Sequence, residues 1–204
     1  MTTTETSGKT SRPKAVKALL LLLVVVAAVC LKAETETIDS YTWSYRVNGD
    51  EAEITNVSPK PTGSIAIPSM LGGRRVTSLG NHALYDCNGL ASVMIPDSVT
   101  RIGNSAFEGC SVLASIMIPG SVTNIGVSAF YRCGGLISIS VADNNVNFMS
   151  RNGLLLTKDG TTLVQGVNGN VIIPAGCAAA CGRCACRPQS GKAYTRPEKL
   201  RSEA

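Results

Sequence analysis

Aromatic residues, charged residues and histidine are scarce in this sequence. Phe, Trp and Tyr together make up 4% of the 204 residues, charged residues make up 16%, and histidine occurs once. In contrast, 44% of the residues are hydrophobic and 20 are glycine. This composition favours many short strands and turns and argues against a helical bundle.

The chain lacks the residue patterns on which common enzyme classes depend. It has no phosphate-binding loop, no Gly-x-Gly-x-x-Gly turn and no metalloprotease helix motif. A nucleophilic pair would need the single histidine, His82, to be oriented by a buried acid, and the sequence suggests none. Asp86, Asp97, Glu108 and Asp143 are scattered over predicted turns, so no acid/base pair is expected. We therefore expect neither enzymatic activity nor a cofactor.

Basic residues are concentrated at the two ends of the chain. Residues 1–33 carry five basic residues and one acidic residue. Residues 34–176 carry eight basic and eleven acidic residues, and residues 177–204 carry six basic and two acidic residues. The long middle part therefore has a net charge of −3, although the whole chain has +5. Because the middle part has no basic stripe to neutralise phosphates, nucleic acid is not an expected partner.

Residues 1–33 are predicted to be a signal peptide. Four basic residues precede the apolar run 18–31: Lys9, Arg12, Lys14 and Lys17. A helix of this run would be about 21 Å long, shorter than the roughly 30 Å hydrocarbon core of a bilayer. The pattern therefore favours a secretory signal cleaved after Ala33, with no stable membrane span in the mature chain. Lipidation of Cys30 and a retained single-span anchor stay open as alternatives.

A 23-residue unit occurs twice in direct succession, at 95–117 (IPDSVTRIGNSAFEGCSVLASIM) and at 118–140 (IPGSVTNIGVSAFYRCGGLISIS). A related unit with five extra residues occupies 67–94. A repeat of 20–29 residues with apolar residues at fixed positions is typical of a solenoid. One coil alone cannot offset the entropy lost in ordering its backbone, so we expect successive coils to stack.

Within each unit, LASVMIP, LASIMIP and LISISVA predict strands, and NSAFEGC and VSAFYRC predict single helical turns. Because side chains alternate along a strand, one face of the predicted sheet points to solvent. The residues predicted on this face, and therefore the candidate ligand contacts, are Ser92, Met94, Ser115, Met117, Ser138 and Ser140. Four stacked strands would give a face of about 300 Å².

The pattern IPxSVTxIGxxAFxxCxxLxxIxIP, which covers about 65–142, resembles the BspA-like subclass of leucine-rich-repeat proteins. The resemblance implies a secreted or surface-attached protein of a bacterium or microbial eukaryote that serves adhesion or ligand binding rather than catalysis. The expected fold is a β-rich α/β solenoid: a short leucine-rich-repeat array of about three 23-residue coils at 64–142, flanked by β-hairpins.

A cysteine recurs at one position of every unit, and phenylalanine recurs three residues earlier in two units. We expect these residues to form a core ladder, which consists of Cys87, Cys110, Cys133, Phe107 and Phe130. A cysteine without a disulfide packs well as a small hydrophobe. The spacing of about 4.8 Å between coils would allow a disulfide, but parallel side chains oppose it. Buried thiols are therefore the prediction, and a disulfide between neighbouring coils is the alternative.

Hairpins are predicted on both sides of the repeats. Residues 34–63 should cap the first coil, with two strands around an Asn-Gly-Asp turn that bury Trp43. Residues 143–170 should form a hairpin insertion around a Lys-Asp-Gly turn. The segment VIIPAG at 171–176 restarts the repeat, but its usual continuation does not follow.

The tail, residues 177–204, loses the apolar pattern and holds four cysteines within ten residues: Cys177, Cys181, Cys184 and Cys186. A zinc site is one interpretation, although Cys184-x-Cys186 is cramped for ligation. A second interpretation is a local disulfide knot in an exported chain. The favoured interpretation is a repeat array that is cut off by a frame-shifted or degenerate, disordered end without metal.

The expected function is adhesion or binding of an extracellular protein or surface ligand by an exported, non-enzymatic protein. A truncated structural fragment with no ligand of its own is one alternative. A metal- or redox-active protein that works through the C-terminal cysteines is another.

Overall fold

A computed structural model of the chain describes residues 33–167 and 178–179. In this part of the chain, all regular secondary structure is strand. The strands are β1 (Glu34–Ile38), β2 (Tyr41–Asn48), β3 (Glu51–Ser58), β4 (Thr62–Ala66), β5 (Met70–Leu71), β6 (Arg74–Leu79), β7 (Gly89–Met94), β8 (Arg101–Ile102), β9 (Ser115–Ile118), β10 (Asn124–Ile125), β11 (Ser138–Val141), β12 (Phe148–Arg151), β13 (Leu154–Thr157), β14 (Thr162–Gln165) and β15 (Ala178–Ala179).

Parallel strands of successive coils stack in two sheets along the solenoid. Sheet 1 consists of β3, β6, β8 and β10, in that spatial order. Sheet 2 consists of two parallel pairs, β4 with β7 and β9 with β11. The pairs adjoin where the Ala114 amide donates to the Ala91 carbonyl at 3.4 Å. Alternate side chains of both sheets point inward and form one hydrophobic core.

A column of tight turns forms the third side of the solenoid. The amides of Leu84 and Phe107 donate to the carbonyls of Ala106 and Ala129 in the next coil, each at 2.8 Å. Because these amides bond between coils, they cannot make the i to i−4 bonds of a helix. Ser105 also adopts a left-handed backbone with φ of 52°, which interrupts a helical path. Hydrogen-bonded turns therefore replace the predicted helical turns, and the fold is a β-solenoid rather than an α/β one.

The solenoid has about four turns, one more than the repeat pattern predicted. The additional coil consists of β3 and β4, because β3 runs parallel to β6 and β4 runs parallel to β7. At its open end, β1, β2 and β3 form an antiparallel sheet whose β2 residue Trp43 is buried. The predicted N-terminal hairpin is thus part of a three-stranded cap, and its last strand is also the first strand of sheet 1.

A hairpin of β12 and β13 lies at the other end of the array, and β14 pairs antiparallel with β13. The β11 residue Ile139 donates its amide to the carbonyl of Gly153 at the hairpin turn, at 2.9 Å. The strand β12 was not anticipated from the sequence. It extends the predicted insertion to three antiparallel strands, and β15 pairs parallel with β14.

Several predictions from the sequence lie outside the described residues. These are the signal segment 1–32, residues 168–170 of the predicted insertion, the whole restarted repeat at 171–176 together with Cys177, and the tail beyond residue 179 with Cys181, Cys184 and Cys186. Within residues 33–167 and 178–179, no helix has the length and apolarity to cross a membrane.

Candidate contact surface and cysteine column

The candidate contact residues lie in two columns on the outer side of sheet 2. Ser64 pairs with Ser92 and Ser115 with Ser138, while Ala66 pairs with Met94 and Met117 with Ser140. Ser64 and Ala66 of β4 were not among the predicted contacts. The segment SIAIP at 64–68 carries the signal that could have found them, because it repeats the SVMIP and SIMIP of later coils.

The outer side of sheet 2 exposes large apolar side chains beside the serines. Met94 is 70% exposed, Met117 is 61% exposed, and Ile137, which directly precedes β11 in the last coil, is 65% exposed. Their inward neighbours Val93 and Ile116 are buried, as the alternation along a strand requires. Sequence reasoning missed Ile137, which stands where the other coils have alanine.

The two predicted contacts in β11 differ from those in β7 and β9. Ser92 and Ser115 are exposed, but Ser138 and Ser140 are only half-exposed. The turn residue Gly153 packs against the Ser138 backbone, and the Ser140 hydroxyl donates to the Ile116 carbonyl at 3.4 Å. Of the six predicted contacts, the accessible ones are therefore the four on β7 and β9.

The strands of sheet 2 and the residues next to them in the chain are uncharged. No Asp, Glu, Lys or Arg occurs in residues 61–71, 87–96, 110–122 or 133–142. In the described part of the chain, the hydroxyls of Ser92 and Ser115 have no hydrogen-bond partner. The surface can therefore offer hydroxyl groups and polarizable thioethers to a partner, but it cannot attract one through charge.

Polar side chains near sheet 1 bond between coils instead. The Thr100 hydroxyl donates to the Thr77 carbonyl, and the Thr123 hydroxyl donates to the Thr100 carbonyl, each at 3.2 Å. At the adjoining corner, the amide oxygen of Asn81 accepts from the Asn104 backbone amide at 2.9 Å. These groups hold the coils in register, so they are less available to a partner than the serines of sheet 2.

The three repeat cysteines form a column inside the turns, and all three are buried. Cys110 Sγ donates to the Leu84 carbonyl at 3.3 Å, and Cys133 Sγ donates to the Phe107 carbonyl at 3.1 Å. Each of these thiols thus bonds to the backbone of the preceding coil. The structure holds these residues as thiols and not as a disulfide between neighbouring coils.

Burial and mutual hydrogen bonding suppress ionisation of two of these thiols. The hydrogen bond to Cys110, with burial as the second cause, raises the pKa of Cys87 far above its ordinary value. The hydrogen bond with Cys133 is the largest cause that raises the pKa of Cys110 to about 12. A thiol with so high a pKa is a poor nucleophile and a poor metal ligand at neutral pH.

The single histidine occupies a turn position that every coil needs. His82 has φ of 60° and is exposed, and its counterparts Ser105 and Ser128 have φ of 52° and 59°. Its ring contacts the Tyr85 ring edge-on, with centroids 5.6 Å apart. Among the described residues, no three His, Cys, Asp or Glu side chains group so that they could hold a metal ion. The geometry therefore gives His82 a conformational role.

The repeat pattern and its coil geometry match a known family. Residues 62–152 match the family model described as "BspA type Leucine rich repeat region (6 copies)". The predicted resemblance of the repeat units to BspA-type leucine-rich repeats is therefore confirmed for residues 62–152. The matched region begins with β4 and ends just after β12, so it includes all of sheet 2.

Three solved structures illustrate what the chain is similar to. A T. pallidum leucine-rich-repeat protein (TpLRR) has 25% identity and a TM-score of 0.48, over 67% of this chain and 60% of that chain. A Bacteroides ovatus leucine-rich-repeat protein has 25% identity and a TM-score of 0.47, over 71% of this chain and 36% of that chain. A leucine rich cell surface protein of Faecalibacterium prausnitzii has 18% identity and a TM-score of 0.29, over 72% of this chain and 66% of that chain. A comparison with curated proteins finds no match.

Proposed function

We propose that this protein is an exported, non-enzymatic binding protein that contacts a protein or other surface ligand at the cell surface through sheet 2. One observation carries the proposal: an uncharged outer face with exposed Ser92, Met94, Ser115 and Met117, whose serine hydroxyls have no partner in the described part of the chain. Export is supported by the basic and apolar pattern of residues 1–33.

The backbone under this face is held by both sheet hydrogen bonds and core packing. The neighbours Val93, Ile116 and Ile118 are buried between the two sheets. A partner therefore need not order the backbone when it binds, which removes one cost of association. The methionines keep rotamer freedom and can adapt to the shape of the partner.

The chemistry of the face limits the partner to an uncharged surface. Without charges on sheet 2, binding depends on apolar burial and on hydrogen bonds to the serines, so its affinity should change little with salt. A face of about 300 Å² is also smaller than the roughly 800 Å² per partner of a standard interface. One copy should bind weakly, and avidity should come from several copies.

Site-specific photo-crosslinking tests the proposal on the full chain. The crosslinking residue is placed at Met94, at Met117 or, as a control on sheet 1, at Asn124. The variants are mixed with purified extracellular-matrix proteins and with intact cells. A shared product at positions 94 and 117 that is absent at 124, and that Met117→Lys weakens about tenfold, supports the proposal. The absence of such a product across the whole panel contradicts it and favours a structural fragment without a ligand.

Export is tested separately. The full chain and a chain without residues 1–33 are expressed in the same secretory host, and the protein in the medium or on the cell surface is measured. Export of the full chain alone is the expected result. Equal retention of both chains inside the cell would contradict the export part of the proposal and leave the binding result to be judged by itself.

A further inference from the structure

Three outer strands of the described sheets, β1, β11 and β4, are protected to different degrees. β1 is the outermost strand of the N-terminal cap and carries Glu34 and Glu36. β11 ends sheet 2 on one side, where Gly153 accepts the Ile139 amide. β4 ends sheet 2 on the other side, and within the described residues it pairs only with β7. Charge or a covering turn protects the first two edges against association with another strand, and neither protects β4.

The outer edge of β4 offers main-chain groups that sheet 2 does not use. The Ile67 amide donates to the Met94 carbonyl at 3.0 Å, so the peptide groups of Ile65 and Ile67 point towards β7. Because successive residues of a parallel strand bond to opposite sides, the peptide groups of Ser64 and Ala66 point away from β7. Ser64 and Ala66 are exposed, and residues 61–71 carry no charge.

We propose that two copies of this chain associate by antiparallel pairing of their β4 strands. A two-fold axis at Ile65 places Ser64 of each copy opposite Ala66 of the other and allows about four main-chain hydrogen bonds. Pro61 and Pro68 have no amide hydrogen and confine the pairing to the residues between them, so this register uses both outward-pointing peptide groups.

The pairing is compatible with the charges and side chains near β4. The cation nearest to β4 in the sequence is Lys60, whose ammonium group donates to the Tyr85 carbonyl of the turn column at 2.6 Å. In the proposed register, the two copies of Lys60 lie roughly 30 Å apart along the strands, so they do not repel each other closely. The strand is therefore self-complementary, which an isologous contact requires.

A second copy would continue the outer face of sheet 2 across the two-fold axis at Ile65. An unrelated strand that paired with β4 would not. Two copies of sheet 2 side by side present about 600 Å², compared with about 300 Å² for one copy and roughly 800 Å² for a standard interface. This consequence rests on the proposed binding function, whereas the pairing of β4 strands does not.

Analytical ultracentrifugation of the full chain from about 10 µM to about 1 mM tests the pairing. The weight-average mass should rise from 21.2 kDa towards twice that value. Ser64→Lys places two lysines at diagonal positions whose backbones lie about 7–8 Å apart, and their like charges should weaken association about tenfold. Ser64→Glu should do the same. An equimolar mixture of the two variants should restore association, because opposite charges then meet.

A matched control uses the same column on an inner strand. Ser115→Lys introduces the same charge on β9, away from the β4 edge, and should leave the mass distribution unchanged. A chain that stays monomeric at about 1 mM overturns the proposal, as does association that is insensitive to charge at position 64. Failure of the proposed binding function is a separate result. In that case Met117→Lys leaves crosslinking unchanged, while the chains still associate through β4.

Discussion

Asn145 is fully buried, and its side-chain amide donates to the carbonyl of Val122 at 3.0 Å. The same amide group donates to the Pro119 carbonyl at 2.8 Å, while its oxygen accepts from the backbone amides of Asn147 and Phe148, both at 2.8 Å. One side chain thus satisfies four backbone groups and joins the last repeat to the C-terminal hairpin. The repeat pattern ends just before this residue, so the sequence alone gave no sign of its role.

Replacing Asn145 by aspartate should destabilise the fold strongly. The introduced carboxylate cannot donate to the Pro119 and Val122 carbonyls, so Val122 loses its side-chain partner, Pro119 keeps only the Val122 amide as a donor, and a charge is buried. We expect a loss of at least about 3 kcal/mol in the free energy of unfolding, measured by urea titration. The neighbouring exposed Asn144→Asp is the control and should change stability by less than about 0.5 kcal/mol. Equal effects of both substitutions would argue against the role of Asn145.

The raised pKa of Cys110 predicts how stability depends on alkaline pH. Its thiol stays protonated in the fold up to about pH 12, whereas the unfolded chain ionises it near its ordinary value of 9.0. The stabilising contribution is therefore complete below about pH 9 and is lost as pH rises from there to about 12. Thermal unfolding of the wild type and of Cys110→Ala at pH 7 and pH 10.5 measures this, and the difference between their melting temperatures should shrink at the higher pH. A constant difference would contradict the assignment.

The left-handed backbone at His82 predicts which substitutions this position tolerates. A β-branched residue is strained at φ of 60°, whereas Asn and Gly adopt this conformation readily. His82→Val should lower the free energy of unfolding by about 1–2 kcal/mol, and His82→Asn should leave it nearly unchanged. Binding through sheet 2 should be the same in both variants. A stability loss with Asn as large as with Val would show that the imidazole itself is needed.

Two equivalent serines should respond differently to alanine. The Ser121 hydroxyl donates to the Val99 carbonyl at 2.6 Å, but the buried hydroxyl of Ser98 has no partner among the residues that the structure describes. Ser121→Ala should cost about 1 kcal/mol, whereas Ser98→Ala should be neutral or stabilising, because it removes an unsatisfied polar group. Differential scanning calorimetry of the two variants checks this order. The reverse order would mean that the spacing of the coils differs from that described.

The sequence predicted the inner structure of the coils because local rules suffice there. Side-chain alternation places Val93 and Ile116 inside and Met94 and Met117 outside, and this needs no knowledge of neighbouring segments. The cysteines could likewise be placed inside from their fixed position in the unit. The same logic extends to Ser64, whose segment carries a shortened form of the repeat.

The features that the sequence did not predict depend on contacts between distant segments. β3 lacks the repeat pattern, and it becomes the first strand of sheet 1 only because it pairs in parallel with β6. Ser138 is half-covered because the turn at Gly153 packs on it, which the local sequence does not encode. The turns around Phe107 looked helical in isolation, but their amides bond to the next coil instead.

Stacked coils with a single continuous interior are the basis of this account, and Phe107 tests that interior most directly. The Phe107 and Phe130 rings lie parallel in successive coils, with centroids 5.5 Å apart and an interplanar angle of 6°. Phe107→Asp buries an unpaired charge and removes this contact, whereas Phe107→Leu keeps an apolar side chain. Thermal unfolding followed by circular dichroism should show the aspartate variant unfolded, or melting cooperatively at a far lower temperature, and the leucine variant only modestly destabilised. An aspartate variant that melts at the wild-type temperature would contradict the account.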